Sequence, residues 1–148
     1  MKTYDDIVRI LSTIEPTEDM YAAIALEDLP HLQRLSHDAE PWRAARAVFA
    51  ASRLRGLAAN NLVLGAARDA RPELRVAAAA SASRLPQSVA DQLLEPLLDD
   101  HDVGVRKFSV QSVTASSSDK LKQKLRTVAT SDVSHQLRAV AELQVRKL

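Results

Sequence analysis

Apolar residues near the start of the chain recur at the spacing of one helix face. Ile7, Ile10, Leu11 and Ile14 stand at i, i+3, i+4 and i+7, the periodicity of an amphipathic helix. Acidic residues occupy its predicted first turn, where the helix dipole favours negative charge. The pattern therefore predicts a helix over residues 4–14.

A proline and a threonine mark the next boundary. We expect Pro16 to end the first helix, because proline has no backbone N–H to donate. Thr17 precedes an acidic pair and an apolar run, which is typical of an N-cap. We therefore predict a second, short helix that runs from Thr17 through Leu26.

The rest of the chain contains an internal sequence repeat. The segment 69–85, DARPELRVAAAASASRL, aligns without a gap with the segment 38–54, DAEPWRAARAVFAASRL, at an offset of 31 residues. The interval from Asp69 to Asp100 is again 31 residues, and the interval from Asp100 to Asp132 is 32. Self-similarity at such a period predicts a repeat architecture.

Each unit has a first helix, a turn that contains Asp, and a second helix. We predict a single domain over residues 1–148, with N-terminal capping helices in 1–28. The repeats are expected at 29–55, 56–85, 86–115 and 116–148. Their second helices are expected at 40–55, 71–85, 103–115 and 134–148.

Composition favours helix throughout. Ala and Leu dominate the apolar residues and aromatic residues make up only 3% of the chain, which suits helices better than strands. The chain has no cysteine, so disulfides and thiolate chemistry are excluded. The first residues lack the basic and contiguous apolar regions of a signal peptide, and no apolar run is long enough to cross a bilayer. We therefore expect an all-α, cytoplasmic protein.

A short motif accompanies the repeat: Asp, then Leu or Val followed by Arg, then a small residue. It occurs as Asp69, Leu74, Arg75 and Ala78, as Asp100, Val105, Arg106 and Ser109, and as Asp132, Leu137, Arg138 and Ala141. The pattern resembles HEAT repeats, in the compact bacterial form related to phycobilisome lyase subunits. The resemblance implies a right-handed α-solenoid of four to five hairpins, with first helices outside and second helices lining the concave side.

The first unit departs from this motif. In the gapless register Ala44 stands where the next unit has Arg75, and Arg43 comes one position early. Either the second helix begins one residue sooner in this unit, or the unit lacks the standard arginine.

The motif residues have two interpretations. Arg75, Arg106 and Arg138 form either a row that binds anions or a structural ladder with the turn aspartates Asp69, Asp100 and Asp132. Because every such arginine comes with an aspartate, and arginine pairs with carboxylates through two hydrogen bonds, we favour the structural ladder.

Charge is distributed unevenly along the chain. The predicted second helices carry twelve Lys or Arg and three Asp or Glu, a net charge of +9, whereas the remainder carries −8. A basic lining on the concave side would attract anionic partners. The alternative, which we weigh equally, is that turn aspartates neutralise much of this charge locally.

A helical projection assigns an outward face to each second helix. It turns Ala45, Val48, Phe49 and Ser52 outward in the first unit, Val76, Ala79, Ala80 and Ser83 in the second, Lys107, Val110, Gln111 and Thr114 in the third, and Ala139, Glu142, Leu143 and Arg146 in the fourth. The candidate partner-binding residues are Phe49, Arg53, Arg84, Lys107, Gln111, Thr114 and Arg146. Such a half-apolar strip suits a protein or peptide, unless part of it packs against neighbouring second helices.

No catalytic, cofactor or metal constellation is visible. The four histidines, His31, His37, His101 and His135, lie in separate turns or helix starts without metal-ligand spacing. No glycine-rich phosphate loop is present. Trp42 and Tyr21 are expected to belong to the core, because lone aromatics at core-facing positions usually do. We therefore expect no enzyme and no cofactor.

Three functions follow as hypotheses. The first is a non-enzymatic scaffold that captures a protein or peptide on its concave side. The second is nucleic-acid binding, resembling HEAT-like DNA glycosylases, through Arg53, Arg84 and Lys107, although the net charge is only +1. The third, implied only by the resemblance, is a phycobilin-lyase-like chaperone. A homodimer is also expected to be possible, because the last unit shows no polar cap.

Overall fold

The computed structural model describes residues 1–13 and 17–148. Within those residues the chain is all-α, with helices and no strand, which confirms the predicted fold class. The helices are α1 (Tyr4–Leu11), α2 (Glu18–Ala22), α3 (Leu29–Leu35), α4 (Pro41–Ser52), α5 (Leu57–Ala66), α6 (Pro72–Ala80), α7 (Gln87–Leu97), α8 (Val103–Ser112), α9 (Asp119–Ser131) and α10 (His135–Val145). The predictions made for Ile14 and Pro16 lie outside the described residues.

The helices α3 to α10 form four consecutive hairpins. Within each pair the two helices contact each other, and successive pairs stack so that α4, α6, α8 and α10 form a continuous row. The core consists of leucine and valine side chains between the two layers and of alanines between neighbouring second helices. Small side chains let those helices approach closely, which explains why alanine is so abundant in α4 and α6.

Each hairpin turn is built by its aspartate. The carboxylates of Asp38, Asp69, Asp100 and Asp132 each accept a hydrogen bond of 2.9 Å from the backbone N–H two residues further on. Such side-chain bonds replace a backbone partner and stop the chain from continuing as a helix. The second helix then begins at a proline in α4 and α6, and after a side-chain N-cap in α8 and α10.

The N-terminal segment differs from the prediction at two helix ends. The first helix was expected over residues 4–14, but α1 ends at Leu11 with Ser12 as its C-cap. Thr17 caps α2 as expected, but the helix ends at Ala22 and does not run through Leu26. The buried carboxylate of Asp28 accepts the N–H groups of Ala25 at 2.9 Å and of Lys2 at 3.0 Å. The Ala25 N–H is thereby taken from any helical carbonyl, and residues 26–28 form a 3₁₀ turn instead.

Two special residues occupy helix ends. Gly56 precedes α5 with φ at +117°, a conformation in which a side chain would be strained. Pro96 lies in the last turn of α7, which ends at Leu97, so few hydrogen bonds remain for the proline to break.

Candidate binding site

The second helices form the inner layer of the array. Neighbouring second helices contact each other closely from α4 to α10, whereas neighbouring first helices contact each other far less. A layer whose helices lie closer together has the shorter arc, so its exposed side is the concave one. We call the exposed side of α4, α6, α8 and α10 the inner surface.

Arginines of this layer tie successive hairpins together. The Arg75 guanidinium donates to both carboxylate oxygens of Asp100, with Nε–Oδ2 at 2.8 Å and Nη2–Oδ1 at 3.1 Å. Arg106 binds Asp132 in the same way, at 2.9 and 3.2 Å. Each arginine also donates through Nη1 to a carbonyl of its own turn, Asp69 for Arg75 and Asp100 for Arg106.

The ladder lowers the pKa of the carboxyl groups it joins. Burial alone would raise the pKa of Asp100, but the donors from Arg75 and the Asp102 N–H outweigh it, so the pKa lies below its usual value. The pKa of Asp132 is lowered through the same balance, with Arg106 as the donor. Both pairs are therefore ionised and hydrogen-bonded within the protein.

Arg138 occupies the corresponding position in the last hairpin but has no carboxylate partner among the described residues. Its Nη1 donates to the Asp132 carbonyl, and its Nη2 lies 3.4 Å from Nδ1 of His135. The three predicted ladder arginines thus share the bond to their own turn, while only two of them also bind the following turn.

The first unit lacks the ladder arginine, and its second helix does not begin early. Helices α4 and α6 both begin at their proline, so the register is the same and α4 does not start early. Ala44 is buried at the ladder position. The Asp69 carboxylate, which a ladder arginine at position 44 would reach, instead binds Arg71 at 3.0 Å. Arg71 also donates to the carbonyls of Asp38 and Ser36, and so joins these two hairpins by another route.

Much of the basic charge on the second-helix segments is neutralised within the protein. Within residues 1–13 and 17–148, ion pairs with Asp or Glu are formed by six of the twelve cations of these segments, namely Arg43, Arg53, Arg71, Arg75, Arg84 and Arg106. The local neutralisation raised as an alternative above thus holds for these six side chains.

Two of the predicted partner-binding arginines converge on a single carboxylate. Arg53 and Arg84 both pair with Glu18 of α2, Arg53 through a bidentate contact with Nε–Oε2 at 2.9 Å and Arg84 at 3.5 Å. Arg53 also stacks on the ring of Tyr21, 3.9 Å from its centre. The hydrogen bond from Arg53 lowers the pKa of Glu18 despite the opposing effect of desolvation. We call Arg53 and Arg84 the arginine clamp.

An apolar groove lies between α4 and α6 on the inner surface. Trp42, Phe49 and Val76 form its apolar walls, Arg46 and Glu73 stand at its edges, and its volume is about 460 Å³. The expectation that Trp42 belongs to the core is wrong, since 43% of this residue is exposed. Its ring instead contacts the guanidinium groups of Arg43 and Arg46 at 5.2 and 4.9 Å. Tyr21 is buried as expected.

Several residues of the predicted outward face are buried. Val48, Ser52, Ala79 and Val110 have at most 2% of their surface exposed. Neighbouring second helices contact each other along the whole row, and a projection of one isolated helix cannot indicate which residues the next repeat covers. Of the candidate partner-binding residues other than Arg53 and Arg84, Phe49 is half-buried in the groove wall, and Lys107, Gln111, Thr114 and Arg146 are exposed.

Two positions on the outer side of the last hairpin are polar where earlier hairpins have buried apolar residues. Arg126 stands where earlier units have the buried Val63 and Leu94, and Glu142 stands where they have the buried Ala79 and Val110.

In residues 1–13 and 17–148, no group of three His, Cys, Asp or Glu side chains is placed to hold a metal ion. Over that same part of the chain, no helix has the length and apolar character to cross a membrane.

Comparison with known proteins adds a structural similarity. No protein-family model and no curated protein matches the chain. Among solved structures, it is similar to the X-ray structure of YibA from Escherichia coli, with a TM-score of 0.42 and 14% sequence identity, over 97% of this chain and 70% of that one. A similarity at this level supports no statement about ligands or partners.

Proposed function

We propose that this protein is a non-enzymatic binding or scaffold protein that captures a polypeptide segment on its inner surface. The observation that carries the proposal is the groove between α4 and α6, where Trp42, Phe49 and Val76 are left partly exposed. Exposed aromatic side chains beside an apolar cleft are typical of sites that hold an apolar anchor of a partner. The remaining inner surface, with Lys107, Gln111 and Thr114, offers polar contacts around that anchor.

Nucleic-acid binding is the less supported alternative. Two of the three cations assigned to it, Arg53 and Arg84, already pair with Glu18, and a phosphate would have to displace that carboxylate. The groove walls are apolar, which fits a side chain better than a sugar–phosphate backbone.

The proposal is tested by selecting twelve-residue peptides from a random library on the wild-type protein. Their affinities are then measured for two variants, Val76→Gln in the groove and Val133→Gln in the turn before α10. Val133 is 92% exposed and lies outside the groove, so it controls for the loss of a surface valine.

We expect the selected peptides to carry apolar anchors, to bind the Val133→Gln variant as they bind wild type, and to bind Val76→Gln at least tenfold more weakly. A tenfold loss corresponds to about 1.4 kcal/mol, within the range for removing a buried apolar contact. Peptides that bind both variants equally would exclude the groove as the site.

A further inference from the structure

The arginine clamp has the geometry of a carboxylate-binding site that the protein fills with its own side chain. Arg53 and Arg84 are 31 residues apart and therefore occupy the same position in adjacent repeats. Their guanidinium groups meet at Oε1 of Glu18, which comes from a helix outside the repeat array. Bidentate arginine–carboxylate contacts of this kind combine charge with directional hydrogen bonds.

The Glu18 side chain that occupies the clamp is far more exposed than the arginine that binds it. The Glu18 side chain is 71% exposed, whereas that of Arg53 is 16% exposed and also donates to the Phe49 carbonyl. The rest of α2 is anchored separately, through the buried Tyr21. Rotation of the Glu18 side chain would therefore open the clamp without moving α2 from the core.

The surroundings of the clamp carry more positive charge than Glu18 neutralises. Arg84 also lines a cleft of about 320 Å³ with Arg55 and Asn60. Arg55 is exposed and forms no ion pair with any residue that the structure describes. Arg84 thus contacts Glu18 and also lines a cleft in which Arg55 has no ion pair with a described residue, so the site is complementary to a ligand with more than one carboxylate.

The clamp also adjoins the groove. Phe49 lines the groove, and its carbonyl oxygen accepts a hydrogen bond of 2.6 Å from Arg53 one helical turn further on. A polypeptide lying in the groove would therefore reach the clamp with a neighbouring side chain. A row of phosphates fits less well, because the groove beside the clamp is apolar.

We propose that the Arg53–Arg84 clamp binds an acidic side chain of the captured polypeptide, and that Glu18 occupies the clamp until this ligand displaces it. This inference rests on the function proposed above. The partner is accordingly an acidic segment with an apolar anchor. Glu18 acts as a competitor within the chain and lowers the affinity for such segments.

The test uses three fluorescein-labelled probes: the amidated peptide EEFLEE, its neutral counterpart QQFLQQ, and a twelve-residue oligothymidylate. Binding is followed by fluorescence anisotropy for the full-length wild type, Glu18→Gln, Glu18→Gln/Arg84→Gln and Glu18→Gln/Arg68→Gln. Arg68 is an exposed arginine at the end of α5, so its replacement removes the same charge at another place. Thermal unfolding followed by circular dichroism verifies that each variant is folded.

We expect Glu18→Gln to bind EEFLEE about fivefold more tightly than wild type, the size expected for losing one exposed ion-pair competitor. The gain should disappear with Arg84→Gln, persist with Arg68→Gln, and be absent for QQFLQQ. No gain in Glu18→Gln, a gain that survives Arg84→Gln, or a larger gain for oligothymidylate would each overturn the proposal.

Adding Val76→Gln to Glu18→Gln distinguishes a failure of the clamp proposal from a failure of the proposed groove function. If the groove does not bind the apolar anchor, this change leaves the affinity for EEFLEE unaltered while the effect of Arg84→Gln remains. If the clamp does not bind carboxylates, Val76→Gln weakens both peptides equally and Glu18→Gln has no effect.

Discussion

Asp100 and Asp132 each serve their own turn and the preceding hairpin at once. Their carboxylates accept the backbone N–H of the residue that caps the second helix of the hairpin, and they also accept two N–H groups from an arginine of the previous repeat. One side chain thus sets both the local turn and the distance between hairpins. This double role explains why the aspartates recur with the period of the repeat.

Replacing Asp100 should therefore be costly. Asp100→Ala leaves the Arg75 guanidinium buried without its carboxylate, and we expect a loss of about 3 kcal/mol in the free energy of unfolding. Asp99→Ala is the matched control, because its carboxylate is exposed and its ion pair within the described part of the chain is with Lys124, so its loss should be below about 1 kcal/mol. Urea unfolding measures both, and equal effects would show that the ladder contributes no special stability.

The ladder also predicts a dependence of stability on pH. The pKa of Asp100 and of Asp132 lies below the ordinary value of 3.8 in the folded state, so the folded protein binds fewer protons than the unfolded chain near that pH. Their stabilisation is complete above about pH 5 and is lost as pH falls through the folded-state pKa.

The measurement is the urea midpoint between about pH 6 and pH 2.5 for wild type, Asp100→Asn and Asp99→Asn. The midpoint should fall steeply below about pH 4 in wild type and Asp99→Asn, and less steeply in Asp100→Asn. Identical slopes in all three proteins would contradict the assignment of this effect to the ladder.

Helices α8 and α10 occupy equivalent places in their hairpins but have different neighbours. Val110 of α8 is completely buried against the following hairpin, while its counterpart Glu142 of α10 is exposed. The polarity of one position therefore indicates whether another hairpin stacks on that side.

Exchanging the two residue types tests this reading. Val110→Glu buries an unpaired charge between hairpins and should destabilise the protein by about 3 kcal/mol or more. Glu142→Val should change the stability by less than about 1 kcal/mol and should promote self-association, because it places an apolar side chain on the exposed outer side of the last hairpin. Urea unfolding and sedimentation velocity are the measurements, and a tolerated Val110→Glu would contradict the stacking described for α8.

The hairpins could be predicted from the sequence because their signals are local. The turn aspartates, the helix-starting prolines and the apolar periodicity all act over a few residues, and each recurs with the period. The premature end of α2 was not predicted, because the Asp28 carboxylate that accepts the Ala25 N–H is buried and also accepts the N–H of the distant Lys2, a contact that the local pattern does not show. The Glu18–Arg84 contact is equally hidden, because it joins residues 66 positions apart.

Exposure on the inner surface was predicted less well, for a related reason. A projection of one helix shows which residues face its own partner, but it contains no information about the next repeat. Val48 and Ala79 are therefore buried against neighbours, although they point away from the first helices. Trp42 is exposed for the opposite reason, since it lies where the groove between α4 and α6 opens.

Across the whole molecule, the ion pairs of the second-helix cations predict little affinity for nucleic acid. We expect no measurable binding of duplex or single-stranded DNA near physiological salt, because Arg53, Arg84 and Arg106 already bind carboxylates and would have to exchange these partners for phosphates. The measurement is a salt series with fluorescent DNA, with the triple variant Arg53→Glu, Arg84→Glu, Lys107→Glu alongside. Tight, steeply salt-dependent binding that the triple variant abolishes would favour the nucleic-acid alternative.

The proposed polypeptide site contains a fluorescent side chain, Trp42, whose emission depends on whether the groove is filled. Trp42 is the only tryptophan in the chain and lies in the wall of the groove with 43% of its surface exposed. A ligand that fills the groove must remove water from the indole ring.

The most direct measurement is therefore the tryptophan emission of the wild-type protein during titration with a library-selected peptide that contains no tryptophan. The account predicts a saturable shift of the emission to shorter wavelength, with a dissociation constant equal to that from an independent binding measurement, and no such shift in Val76→Gln at the same peptide concentrations. A peptide that binds with unchanged Trp42 emission, and equally well to Val76→Gln, would show that the partner site lies elsewhere.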